Sequence, residues 1–208
     1  GQMDFKRLLA YHSISQMGYI VFAFGLGTPL GLIGGLLHTL NHAFFKSLLF
    51  LCSGAVEYAT GTRDLRQMGG LWKKMPITGA TCSIASLSIS AVPPLGGFFS
   101  KFIIVVAAVS AANNLGPVAY LFAALTVFVS FMTLVSFVKV QKMALFGSLP
   151  ERLNSIREVP KSMWLALVVM AVVCLALGIA CPWFITNLIE PARDVLFNPG
   201  VYIHNVLE

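Results

Sequence analysis

Long apolar segments with almost no charged side chains dominate this chain and restrict the folds open to it. Hydrophobic residues make up 57% of the 208 residues, charged residues only 11%, and the mean hydropathy is +0.83. A soluble globular domain contains about 25% charged residues, and a membrane-crossing helix needs about 20 predominantly apolar residues in succession. The chain is therefore predicted to be an all-α transmembrane protein.

Five apolar segments are predicted to span a membrane. They cover residues 8–26, 30–58, 76–112, 117–138 and 163–188. The third is too long for one regular helix and is interrupted at residues 93–97. The hinge residues are Pro93, Pro94, Gly96 and Gly97. Because proline removes a helix hydrogen bond and glycine loosens the backbone, we predict a single discontinuous span, the type that forms ion sites in transporters.

The basic residues are distributed unequally between the predicted loops. With five spans, the N-terminus and two loops lie on the same side of the membrane. The basic residues on that side are Lys6, Arg7, Arg63, Arg66, Lys73, Lys74, Lys139, Lys142, Arg152, Arg157 and Lys161. Arg193 alone lies on the other side. Since cytoplasmic loops are enriched in Lys and Arg, the N-terminal side is predicted to be cytoplasmic; no basic stripe suited to nucleic acid is present.

Two histidines and a lysine recur every four residues in the second predicted span, within LLHTLNHAFFKSLLFL. This spacing places His38, His42 and Lys46 on one helix face, about 6 Å apart along the axis. A charge near the bilayer centre costs at least about 2.5–3.5 kcal/mol, so the pattern favours a function, and imidazole and amine groups indicate proton conduction. The structural alternative is hydrogen bonding between helices, with Lys46 snorkelling to an interface.

Three further titratable residues are candidates for the same proton pathway. Lys101 is predicted on the first turn after the hinge, either as a proton carrier or as a partner for carbonyls that the break frees. His12, near the start of the first span, is either an uptake group or an interfacial residue. Glu57 lies near the end of the second span, where an interfacial salt bridge is the structural interpretation.

No residue pattern indicates a catalytic centre, a cofactor site or a metal site in this chain. Every carboxylate lies at or beyond the end of a predicted span, so Lys46 and Lys101 have no buried counter-charge of their own. The cysteines fall in apolar segments without metal-ligand spacing and are interpreted as small buried hydrophobic residues. They are Cys52, Cys82, Cys174 and Cys181.

Four motifs carry a resemblance to a known family. KRLLAYHSISQMGY, LLHTLNHAFFKSLLFLCSG, TRDLRQMGGL and VPPLGGFFSKF occur in this order. They resemble the antiporter-like, proton-translocating membrane subunits of respiratory NADH–quinone oxidoreductase, multisubunit Na⁺/H⁺ antiporters and group 4 membrane-bound hydrogenases. The resemblance implies a fold of two inverted five-helix repeats, of which this chain covers only the C-terminal half: the second repeat and one final helix.

The resemblance also implies roles for the titratable residues. Lys46 is similar to the central lysine of the second half-channel, and His38 and His42 to the histidines that link water chains to it. Lys101 is similar to the broken-helix residue that completes the exit route.

A single membrane domain, residues 1–208, is expected. Most of the antiporter-like repeat falls in 1–138, a cytoplasmic loop in 139–162, the last span in 163–188 and a tail in 189–208. The first repeat is missing, so the gene is split, a partner chain supplies that repeat, or the chain is a fragment.

The implied function is that of a proton-translocating subunit in a redox-driven membrane complex of the NADH–quinone oxidoreductase or hydrogenase type. A subunit of a stand-alone Na⁺/H⁺ antiporter and a non-conducting scaffold are the alternatives. Expected partners are other membrane subunits, including a chain with the first repeat, the lipid bilayer, and H⁺ or Na⁺. Redox cofactors (Fe–S, NiFe or flavin) are expected only in partner subunits, and the expected location is the prokaryotic cytoplasmic (inner) membrane.

Overall fold

The computed structural model describes residues 1–198 and 200, which form helices and loops with no β-strand among them. The helices are α1 (Phe5–Gly25), α2 (Pro29–Thr60), α3 (Pro76–Ile89), α4 (Gly96–Ser110), α5 (Ala112–Leu115), α6 (Val118–Val140), α7 (Lys161–Ile179), α8 (Cys181–Phe184) and α9 (Glu190–Phe197). The predicted all-α fold is confirmed for this part of the chain.

Helices α1 and α2 form an antiparallel hairpin whose turn follows from its residue types. Thr28 caps α2, since its hydroxyl accepts a hydrogen bond from the Gly31 nitrogen at 3.1 Å. Pro29 occupies the first helical position, where a missing N–H is harmless. The hairpin brings Tyr19 of α1 beside His38 of α2, with ring centroids 5.6 Å apart.

The third predicted span is discontinuous, but its break lies earlier in the chain than predicted. Helix α3 ends at Ile89 and α4 begins at Gly96, so residues 90–95 form the connection. Gly96 and Gly97 belong to the helix rather than to the hinge, which corrects the prediction of 93–97. Lys101 is consequently on the second turn of α4, not the first.

Close packing explains why two glycines begin α4. A Cβ atom on Gly97 would collide with the Ser88 carbonyl oxygen, and one on Gly96 would collide with the Asn41 side chain. Asn41 of α2 also donates a hydrogen bond from Nδ2 to the Gly96 carbonyl oxygen at 3.2 Å. The glycines therefore provide space for neighbouring backbone and side chains, and the break itself is made by the residues before them.

Helices α3 and α4 run in the same direction along α2. Successive contacts along α2 are Cys52 with Thr81, Asn41 with Gly96, and Gly34 with Ile104. As the residue number falls along α2, the number of the contacting residue rises from α3, across the break, into α4. The two halves are therefore arranged as one interrupted helix antiparallel to α2.

The fourth predicted span matches the structure better than the fifth. Residues 117–138 correspond to α6, which a π turn at Gln141–Leu145 extends. The predicted span 163–188 is divided, because α7 ends at Ile179 and α8 begins a new helical segment. Pro182 in that segment has no backbone N–H and cannot continue the hydrogen bonds of a helix.

The predicted tail, 189–208, begins with a helix. A π turn at Ile185–Ile189 leads directly into α9. The other predicted tail residues, 199 and 201–208, lie outside the described residues.

Three segments of the described chain have the length and apolar composition of a membrane span. They are Gly96–Leu115, Val118–Leu145 and Lys161–Ile179. Helix α3 is apolar but shorter, and α2 contains a column of polar residues in addition to its apolar ones. These helices agree with an integral membrane protein, while the count of five spans stays a prediction.

Candidate functional site

The His38, His42 and Lys46 side chains are buried on one face of α2. They are 0%, 8% and 5% exposed, respectively. The two imidazole centroids lie 6.5 Å apart with the ring planes 24° from parallel, close to the separation of about 6 Å that four-residue spacing predicts. The structure therefore places these three residues in one buried column, which we call the α2 column.

Helix α4 holds the first histidine of the α2 column. The Nδ1 atom of His38 lies 2.9 Å from the Ser100 hydroxyl oxygen, and Ser100 donates its own proton to the Gly97 carbonyl oxygen at 3.3 Å. A serine hydroxyl has a single proton, so whenever Ser100 donates to Gly97, the His38 Nδ1–H is the donor to Ser100. In that tautomer the Nε2 atom of neutral His38 is a proton acceptor, and it has no hydrogen-bond partner among the described residues.

Lys46 is buried without a hydrogen-bond partner among the described residues. Its Nζ atom is inaccessible and makes no hydrogen bond, and the Phe50 ring lies 5.9 Å away. Buried amines without protein partners are normally satisfied by water. Nε2 in both histidines likewise has no partner among the described residues, so the α2 column presents three polar atoms that can bind water or a group from outside the described chain.

Lys101 has a different environment beside the break. Its Nζ donates a hydrogen bond at 2.8 Å to the carbonyl oxygen of Ile89, the last residue of α3. The Tyr19 ring centroid lies 4.8 Å from the same Nζ, a cation–π geometry. The side chain thus satisfies a carbonyl at the helix break, as the structural alternative predicted, and it is also a titratable group at the break.

A cleft of about 220 Å³ lies beside Lys101 between α4 and α6. Its lining includes Lys101, Phe98, Phe102, Thr126 and Ser130. Because Phe102 is 57% exposed, the cleft lies near the outer surface of the described chain. Lys101 thus contacts Tyr19 on its interior side and lines the cleft on its outer side.

The structure does not bring His12 and Glu57 into direct contact with the α2 column. His12 is half-buried on α1 with its ring centroid 5.1 Å from the Phe137 ring of α6. Glu57 is bound at the surface by Lys6 and Arg63, each with an N–O distance of 2.6 Å. Glu57 therefore has the geometry of the interfacial salt bridge that was its structural interpretation.

Sequence reasoning missed three buried polar residues, two of which contact the α2 column. Ser100 binds His38, and Tyr19 lies between His38 and Lys101. Gln16, three residues before Tyr19 on α1, is 0% exposed, and within residues 1–198 neither of its amide atoms finds a hydrogen-bond partner. The available signal was a polar residue within an apolar segment, but the sequence does not say which helix it faces.

Comparisons with known proteins agree with the motifs. Residues 1–133 match the family model described as NADH:quinone oxidoreductase/Mrp antiporter, transmembrane. The D subunit of the Na⁺/H⁺ antiporter of Alkalihalophilus pseudofirmus is 35% identical over 207 residues, which are 100% of this chain and 41% of that protein. Hydrogenase-4 component B of Escherichia coli is 33% identical over 218 residues, covering 95% of this chain and 32% of that protein.

Solved structures share the fold. A chain of the Mrp complex from Dietzia sp. has a TM-score of 0.85 at 28% identity, covering 96% of this chain and 44% of that chain. A chain of respiratory complex I from Thermus thermophilus has a TM-score of 0.75 at 26% identity, covering 94% of this chain and 40% of that chain. The present chain thus spans less than half the length of each of these four relatives.

Proposed function

Since the chain belongs to the NADH:quinone oxidoreductase/Mrp antiporter transmembrane family, we propose that it supplies a proton half-channel to a multi-subunit ion-translocating membrane complex. The observation that carries this proposal is the α2 column, in which Lys46 Nζ and the Nε2 atoms of His38 and His42 are buried without hydrogen-bond partners among the described residues. In the proposed route, protons pass along the α2 column and reach Lys101, with the exit on the non-cytoplasmic side.

A change in the proton affinity of Lys46 can supply the free energy that this function requires. Moving one charge against 100 mV costs about 2.3 kcal/mol, which corresponds to a change of about 50-fold in proton affinity. A nearby charge that appears and disappears can produce such a change. This chain has no carboxylate beside Lys46 in its described part, so that charge is proposed to come from a partner subunit.

The proposed assembly follows the sequence interpretation. Five spans are proposed, and the single direction of α3 and α4 supports counting them as one crossing. A cytoplasmic N-terminus and a prokaryotic inner membrane are proposed from the distribution of basic residues and from the family. Other membrane subunits, one of them carrying the first repeat, are proposed as partners. Redox energy is proposed to come from cofactor-bearing subunits of an NADH–quinone oxidoreductase or hydrogenase type.

Substitution of Lys46 in the assembled complex tests the function. Lys46→Ala is expected to abolish coupled proton transport in vesicles, since the central carrier is lost. Lys46→Arg is expected to do the same, because arginine keeps the charge but does not release its proton. Lys161→Ala, at the exposed start of α7, is the matched control. Transport at the wild-type rate in both Lys46 variants would overturn the proposal.

The relatives also support a stand-alone Na⁺/H⁺ antiporter as a second candidate, because the D subunit of such an antiporter aligns with the whole chain. Sodium-dependent proton exchange in vesicles without an electron donor is the outcome expected for that function. A non-conducting scaffold is distinguished by tolerance of substitution at both Lys46 and Lys101.

A further inference from the structure

Helix α3 and the residue that directly follows it carry a second line of buried polar side chains that faces the core. Thr78, Cys82, Ser86 and Ser90 follow one another at four-residue spacing, and their exposures are 0%, 0%, 0% and 5%. The hydroxyl groups of Ser86 and Ser90 have no hydrogen-bond partner among the described residues. We call these four residues the α3 ladder.

The inner end of the α3 ladder lies at the level of Lys46. Cys52 on α2 lies opposite Thr81 on α3, with Sγ and Oγ1 3.6 Å apart. Because the two helices are antiparallel with a rise of about 1.5 Å per residue, Lys46 lies about 9 Å further along and is level with the segment between Ser86 and Ser90. The unpartnered amine and the unpartnered hydroxyls are therefore at one depth.

The outer end of the α3 ladder is bound to an acid. Thr78 donates a hydrogen bond from Oγ1 to Oε1 of Glu158 at 2.6 Å. The other carboxylate oxygen of Glu158 accepts hydrogen bonds from the backbone nitrogens of Ile77 and Thr78 at 2.8 and 3.2 Å. Glu158 is partly exposed, so it joins the surface on the N-terminal side to the buried ladder.

Glu158 and Glu57 both lie on the N-terminal side, but they differ in their ion pairs. Glu57 is held between Lys6 and Arg63, whereas within residues 1–198 no cation forms an ion pair with Glu158. Capping of α3 accounts for the two backbone hydrogen bonds of Glu158. It does not account for the unpartnered hydroxyls of Ser86 and Ser90 further along the helix.

We propose that Glu158 and the α3 ladder form the proton-uptake route to Lys46. This inference rests on the proposed function and adds the entry that the α2 column lacks. Successive ladder residues are about 6 Å apart along the helix, a gap that one bridging water spans with two hydrogen bonds of about 2.8 Å.

The transfer conserves protons and leaves every hydroxyl neutral. One proton from the aqueous side binds the carboxylate of Glu158. Each hydroxyl, thiol or water then accepts a proton from one neighbour and gives its own to the next, and one proton arrives at the unprotonated Lys46 amine. Cys82 is the least efficient proton-transfer group of the α3 ladder, because a thiol is a poor hydrogen-bond donor and acceptor.

Hydroxyl deletion along the α3 ladder tests the route. In the assembled complex in vesicles, Ser86→Ala with Ser90→Ala is expected to slow proton uptake by at least about tenfold. Cys82→Ser is expected to keep or raise the rate, and Cys82→Ala to lower it. Ser136→Ala is the matched control, because that hydroxyl bonds the backbone of its own helix and is partly exposed. Wild-type uptake by the double variant contradicts the route.

Glu158→Gln tests the entry while keeping an oxygen that can cap α3. Slow uptake with a normal yield of complex is expected; an unchanged rate overturns the entry. If Glu158→Gln lowers the yield, the Cys82→Ala and Cys82→Ser pair decides, since neither touches the cap. Lys46→Ala separates the two proposals. If Lys46→Ala abolishes proton transport while the α3 ladder variants transport normally, only the uptake route is refuted. If Lys46→Ala itself transports normally, the proposed function is refuted.

Discussion

Two buried lysines lie in helices of different kinds. Lys46 is in the unbroken helix α2, whose own carbonyls are engaged by the helix hydrogen bonds, and its Nζ has no hydrogen-bond partner among the described residues. Lys101 follows a break and binds the Ile89 carbonyl that ends α3. A break in a helix thus gives a buried amine a protein partner, whereas a continuous helix leaves it dependent on water or on groups from elsewhere.

The largest expected effect comes from disturbing the break itself. Gly97→Ala places a Cβ against the Ser88 carbonyl oxygen, which must displace α4 together with Ser100 and Lys101. We expect a loss of about 3 kcal/mol of stability, the upper end of the usual cost of overpacking, measured as a lower melting temperature and yield of the solubilised complex. The control is Gly54→Ala on unbroken α2, where nothing lies within 4 Å of the added atom; a change there within about 1 kcal/mol is expected.

Replacement of each lysine by methionine compares the two environments directly. Lys101→Met leaves the Ile89 carbonyl without its partner, whereas Lys46→Met removes a buried amine that no described protein group hydrogen-bonds. Lys101→Met is therefore expected to be less stable than Lys46→Met by about 1–3 kcal/mol. Thermal unfolding of the two complexes measures the difference, and equal melting temperatures would show that the break contributes nothing to holding Lys101.

A smaller effect is expected where the broken helix supports the α2 column. Ser100→Ala removes the hydrogen-bond partner of the His38 Nδ1 atom, so the imidazole ring is no longer held by α4. We expect transport to fall and stability to drop by about 1–2 kcal/mol. Thr133→Ser, which preserves a hydroxyl bonded within α6, serves as the control; unchanged transport in Ser100→Ala would remove Ser100 from the proton route.

The smallest expected effect lies outside the membrane-spanning part. Arg66, through its side chain and backbone N–H, lowers the pKa of the Asp64 carboxyl below its usual value. A carboxyl with a lowered folded-state pKa stabilises the fold above its unfolded pKa, and this contribution disappears as the pH falls through the folded value. The melting temperatures of wild type and Asp64→Asn should differ slightly at pH 7 and converge in acid. A difference that persists in acid would contradict the assignment.

The local features of the site were predictable from sequence. Four-residue spacing places His38, His42 and Lys46 on one face in any α-helix, and the prolines at 93–94 interrupt any helix that contains them. The position of the break was predicted a few residues late, because Gly96 and Gly97 were interpreted as flexible. Their actual requirement is space for Ser88 and Asn41, which belong to other parts of the chain.

The sequence alone therefore determined that the chain is helical and apolar, that its titratable groups are few, and which of them share a helix face. These properties depend on composition and on the period of one helix. Only the tertiary structure decided that Ser100 holds His38, that Tyr19 lies against Lys101, and that Glu158 binds the outer end of the α3 ladder. Those contacts join residues between 62 and 82 positions apart in the chain, and helix period carries no information on which faces of separate helices meet.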